Sequence, residues 1–437
     1  MSSILNHVFR SVGPTWANAC VGDNGNPGYE EYAEGFMASA NLLIRNLIEN
    51  KCQDYFADTF IYPICFNLRH AVELWLKMTV MHFQDIHKIK YDSELEFNFK
   101  QSHDIGNIWT FINSKISLVD ERFQPLIDKL DIYIKDLSAI DSSGQTFRYP
   151  FDSESKKHLE EISIINILFL GEVCKKLESS FKELDTFSKL VLEEYSLGTF
   201  TKKLSRNKLF KITKMLPTFT MWKDESFNDV RSLIKKEFGL TNNDLSKAIT
   251  LIKTNYEMAA LIEEDVPLIG IDYARLKVFF EAWFKLHGKK YLSKIVDFTE
   301  VDFDFGNPEQ VKEIFETRDT YKQKVDYLAD KFDLTTIIGI KALYYFGRKN
   351  TYSEYYKREY EIWKKSEVDS IDNRKRLLHH LLEKTNAFEY ILVALCRLGY
   401  SKKAALLVSD FEVDEFDWIN KIVMGSSIKN NKLLCYP

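Results

Sequence analysis

Breaker residues are scarce along this chain. Over 437 residues there are only 17 Gly and 9 Pro, too few to supply the frequent turns of a β-sandwich or barrel. Between them, apolar residues recur at helical spacing. From Glu30 to Asn50, Tyr32, Phe36, Ala40, Leu43, Ile44 and Leu47 share one face, which predicts an amphipathic helix. The expected fold class is therefore all-α. An apolar fraction of 45%, with 32 Phe, 22 Tyr and 7 Trp, gives enough surface to bury against the entropy of ordering the chain. The length predicts two domains.

Residues 1–28, with Gly13-Pro14 and Pro27-Gly28, read as an irregular leader. A second helix is expected from Asp54 or Asp58 to about His82, with Pro63 in its first turns. A polar connection over 85–101 follows, then a short helix capped by Ser102, and another over 122–140. Asp141-Ser142-Ser143-Gly144-Gln145 is the clearest turn, and Phe147-Arg148-Tyr149-Pro150 reads as extended. A long helix is expected from Ser153–Ser155 to Tyr195. The preferred boundary is 196–201, giving domains over 29–195 and 196–437. Beyond it, helices are predicted around 202–216, 226–238, 243–263, 270–287, 308–331, 334–347, 351–366, 371–384, 386–398 and 401–410. They suggest either an irregular α-solenoid or an irregular helical domain.

The six cysteines, Cys20, Cys52, Cys65, Cys174, Cys396 and Cys435, lack the close pairing of a zinc site or disulfide framework. His82 and His87 are five apart and off one helical face. No Walker A loop, dinucleotide fingerprint, nucleophile elbow, HExxH pair or EF-hand loop occurs, so no cofactor and no metal are implied. The stretch Met1 to Val12 lacks the pattern of a signal peptide, and Ile162–Leu170 is too short to span a bilayer. A cytoplasmic protein without membrane contact is expected.

Net charge is −10 over residues 1–200 and +5 over 201–437. Between Glu194 and Asp224, Lys202, Lys203, Arg206, Lys208, Lys211, Lys214 and Lys223 occur without an acid. Phe200, Phe210, Phe219 and Trp222 interleave with them, a composition suited to backbone contacts and base stacking on RNA. A solvated helix face is the plainer alternative.

The second predicted helix carries Arg69, His70, Glu73 and Lys77 within an arc of about 100°, opposite Leu68, Val72, Trp75 and Thr79. So narrow a polar stripe on so apolar a helix predicts polar groups turned toward protein. Arg69 could hold a phosphate, His70 move a proton and Glu73 orient the arginine, with Lys77 as a further RNA contact. An intrahelical ion-pair network without chemistry is the alternative. His103 with Asp104 could add an acid–base pair or merely start a helix, and Arg148 could point into the bundle mouth or lock its loop.

The run Tyr62-Pro63-x-x-Phe66-x-x-Arg69-His70-Ala71-x-Glu73-Leu74-x-Leu76-Lys77, the helix start His103-Asp104-Ile105, the segment Arg148-Tyr149-Pro150 and a closing long helix together resemble prokaryotic HEPN-superfamily proteins over residues 29–195. The resemblance implies a bundle of four or five helices, often dimeric. In active members it implies a metal-independent ribonuclease of toxin–antitoxin, CRISPR-linked or anti-phage systems. Such a protein would take RNA, and a second copy or a partner protein through its C-terminal helical domain. The family's catalytic arginine is followed downstream by a histidine, and here Leu74, Trp75 and Leu76 fill those places. Either His70, His103 or His158 substitutes, or the bundle is a non-catalytic docking module. Arg374 to His379 matches the spacing formally, at a frequency that chance alone supplies.

Overall fold

The computed structural model describes residues 8–51, 57–151, 154–292, 308–349 and 352–425. Met1 to His7, Cys52, Cys435, Thr351 and the helix starts considered at Asp54 and Ser153 lie outside them. Regular structure among the described residues is helical, with one isolated bridge between Phe151 and Lys157. None of these helices is long and apolar enough to cross a membrane. The chain divides into two compact units, Met1–Ser196 and Leu197–Pro437.

The first unit contains α1 (Tyr29–Glu49), α2 (Ala57–Tyr91), α3 (Ile105–Val119), α4 (Gln124–Asp141) and α5 (Ile167–Ser196). α2 is central and packs on α1, α3 and α5. From Ala71 to Val80 every residue of α2 is buried, as expected of a helix enclosed on all sides. Trp75 stacks on Phe181 of α5 at 5.0 Å, while Phe83 and Phe187 both meet Phe123.

Three boundaries differ from expectation. α2 runs on to Tyr91 because Phe83, Ile86 and His87 continue its buried face. α3 is capped by Asp104, whose carboxylate accepts the Asn107 amide at 2.9 Å, and not by Ser102. α5 begins at Ile167 and not near Ser155: the intervening chain turns through positive φ at Ser155 and Leu159, and the Asn166 side chain accepts the Phe169 amide at 3.0 Å.

The second unit contains α6 (Arg206–Met215), α7 (Ser226–Phe238), α8 (Asn242–Thr254), α9 (Tyr256–Leu261), α10 (Tyr273–His287), α11 (Pro308–Lys331), α12 (Leu334–Arg348), α13 (Glu354–Ser366), α14 (Ile371–Leu382), α15 (Ala387–Arg397), α16 (Ser401–Asp410) and α17 (Asp417–Val423). The helix expected over 243–263 is broken at Asn255, whose side chain caps α9 through the Met258 amide. α6 to α9 enclose a small core around Leu209, Ile234, Leu245 and Met258. A larger core surrounds α12, which packs on α13, α14 and α15 and is buried from Thr336 to Tyr344. These partners are the three helices that follow α12 in the chain.

Candidate functional site

The polar arc of α2 faces inward. Arg69, Glu73 and Lys77 are only 2%, 3% and 5% exposed, so each must find its partners within the protein. Glu73 is the hub. Its Oε2 accepts from an Arg69 Nη1, and its Oε1 accepts from Lys77 Nζ at 2.8 Å and from His103 Nδ1 at 2.9 Å. His70 Nδ1 stands 3.9 Å from Oε2. Burial would raise the pKa of Glu73, but the Lys77 hydrogen bond, the Arg69 charge and the His103 hydrogen bond outweigh it and hold the carboxyl below its ordinary range.

The rest of the Arg69 guanidinium is taken up by main chain. Nε donates to the Asp141 carbonyl at 3.1 Å, and Nη2 donates to the carbonyls of His103 and Ser142. The Asp141 carboxylate accepts the amides of Gly144 and Thr146 at 2.8 and 3.1 Å, bending the chain over the guanidinium. Gly144 has φ +80°, and a Cβ there would lie 2.9 Å from Arg69 Nη1. Arg69 thus fastens the end of α4 and the start of α3 to α2.

More accessible groups surround this closed network. The His103 side chain is 66% exposed, that of His70 31%, and Arg148 is exposed. Since a carboxylate only accepts, His103 Nδ1 donates to Glu73, and Nε2 is the remaining ring nitrogen. His70 lies parallel to Phe66 at 5.8 Å and against the edge of Phe36 at 4.5 Å. The Arg148 guanidinium is 5.6 Å from the Phe66 ring and 5.3 Å from that of Tyr149. Burial lowers the pKa of His70; Glu73 opposes this, while Arg69, Lys77 and Arg148 add to it, and the net shift is downward.

Three expected roles are corrected by this geometry. Arg69 is enclosed by Glu73, three carbonyls and Gly144, which leaves a phosphate no approach to its bonded edges. Lys77 is buried on Glu73 and is no RNA contact. Arg206 is 2% exposed: Nε and Nη2 grip Glu354 at 2.8 and 3.1 Å, and Nη2 also meets Glu257, joining α6 to α9 and α13. The aromatic residues beside it are likewise spoken for. Phe210 is buried, and Trp222 stacks on Phe227 and donates to the Pro217 carbonyl. Lys203 pairs with Asp244 at 2.8 Å; Lys202, Lys211 and Lys214 are exposed and Lys208 half-buried. Arg374 pairs with Asp369 and His379 with Glu383, a surface arrangement.

Sequence reading missed Asp141, Phe36 and Tyr149. An Asp three residues before a Gly was the available signal for the first, being the pattern of a side chain that accepts amides within its own turn. No group of three or more His, Cys, Asp or Glu among the described residues is arranged to hold a metal ion. No family model, curated protein or solved structure matches the chain.

Proposed function

We propose that this chain is a HEPN-like effector acting on RNA in prokaryotic anti-phage defence or a toxin–antitoxin system, with His103, His70 and Arg148 as the groups that meet substrate. The observation that carries the reading is one buried carboxylate, Glu73, holding His103 by Nδ1 with His70 beside it, next to an arginine that forms no ion pair among the described residues. Two imidazoles can divide acid and base duties in phosphodiester cleavage. His70, kept neutral by its lowered pKa, takes the proton of a ribose 2′-hydroxyl. The 2′-oxygen attacks phosphorus, and the departing 5′-oxygen takes a proton from Nε2 of the His103 imidazolium. A 2′,3′-cyclic phosphate and a 5′-hydroxyl result. Glu73 orients His103, and Arg148 offsets phosphate charge. Lys202, Lys203, Lys208, Lys211 and Lys214 would add longer-range attraction in a cytoplasmic, homodimeric protein.

The test is incubation of purified protein with defined RNAs in chelator. Wild type is expected to leave cyclic phosphate ends. His103→Ala and His70→Ala each lose about 100-fold or more in rate, the range for general acid–base groups. Intact RNA with wild type ends this reading.

A second reading is a non-catalytic docking module. It is favoured by the sealed Arg69 and by the exposure of Ile164, Leu168 and Phe169, an apolar surface of the kind that binds protein. It predicts a stable partner complex and unchanged RNA.

A further inference from the structure

Phe36, His70, Phe66, Arg148 and Tyr149 form a row in which each planar group meets the next: 4.5, 5.8, 5.6 and 5.3 Å separate successive members. Its inner end is closed, since Phe36 is half-buried and also meets Phe66 edge-on. Its outer end is open. Tyr149 is 50% exposed, although its hydrophobic area is comparable to that of rings the fold buries.

The loop bearing Tyr149 is held in place. The amides of Arg148 and Tyr149 both donate to the Gln145 carbonyl, at 3.1 and 3.0 Å, and the Pro150 carbonyl accepts the His158 amide at 3.1 Å. Pro150 further restricts the backbone of Tyr149. A ring fixed before its ligand arrives loses little entropy on binding, and Arg148 beside it supplies a cation for a neighbouring phosphate.

We infer that Tyr149 is a stacking platform for one unpaired nucleobase next to the phosphate held by Arg148, and that it favours a purine over a pyrimidine. This rests on the RNA reading above. A purine covers more of the phenol ring, and stacking strength is the usual source of such modest preferences. The platform requires a base that is free to leave its helix, so paired RNA binds less well.

The probe is a short oligoribonucleotide, fully 2′-O-methylated to block cleavage, carrying one 2-aminopurine. Titrated with the full chain, wild type and Tyr149→Phe are expected to quench 2-aminopurine fluorescence and bind alike. Tyr149→Ala should bind about ten-fold more weakly, within the range for loss of one aromatic–base stack, and leave the fluorescence high. Replacing the purine by uridine should weaken wild type and leave Tyr149→Ala unchanged. Matching thermal melts show that the variants are folded. If wild type binds and Tyr149→Ala matches it in affinity and quenching, the platform is wrong and the RNA reading stands. If wild type binds neither this probe nor its unmethylated RNA counterpart, both fail.

Discussion

At Gly144 the absence of a side chain decides whether Arg69 can be used as a fastener. The residue sits at φ +80°, and its α-carbon side is occupied by the guanidinium. An alanine must adopt a left-handed backbone and displace a buried charge at once. Gly144→Ala is expected to cost at least about 1–3 kcal/mol from backbone strain alone. Urea unfolding followed by circular dichroism measures it, and a loss within error would show that the turn yields easily. The sequence made Arg69, His70, Glu73 and Lys77 legible as one inward arc because helical spacing fixes which side chains of α2 are neighbours. It did not show that the carbonyl of Asp141, seventy-two residues from Arg69, joins those of Ser142 and His103 at the guanidinium. Such contacts depend on how α3 and α4 pack, and no periodicity within α2 encodes that.

Helix caps account for most of the differences at the scale of elements. Asn166 starts α5 and Asn255 divides α8 from α9, each side chain accepting the amide three residues on, at 3.0 and 3.1 Å. Apolar periodicity continues through both positions, which is why uninterrupted helices were expected there. α2 also carries a buried group the arc does not include. His82 is 6% exposed and its Nδ1 has no hydrogen-bond partner among the described residues. Burial lowers its pKa from the ordinary 6.5; Asp185, Asp85 and Glu30 oppose the shift, Lys189 adds to it, and the net direction is down. His70 moves the same way. With folded values depressed, the stability these rings contribute is complete above about pH 6.5 and declines as acid protonates the unfolded chain first. Glu73, held below its ordinary 4.5, does not join until more acid conditions. The urea midpoint should therefore fall between pH 7.5 and 5.5, with one group contributing at most about 1.4 kcal/mol per pH unit. His82→Leu should flatten that slope, and an unchanged slope would assign the acid sensitivity elsewhere.

Across the whole molecule, the second unit holds apolar clusters of its own and the first buries Trp75, Phe83, Phe123 and Phe181, so a defect placed in one core tests whether the other depends on it. Gly347 provides the site. It lies on α12 against the backbone of α15, where a Cβ would overlap the carbonyl oxygen of Tyr390. Neither helix can yield to it by turning a side chain, because the obstruction is main chain. The two must separate, and α12 is the helix around which the larger core of the second unit is assembled. Gly347→Ala is expected to raise amide hydrogen exchange throughout α12 and α15 by lowering the free energy of opening that core. The amides of α2 and α5, protected by Trp75, Phe83 and Phe181, should exchange as in wild type. Equal loss of protection in α2 would mean that the two units open as one cooperative structure, and any ligand bound to the first would then be felt by the second.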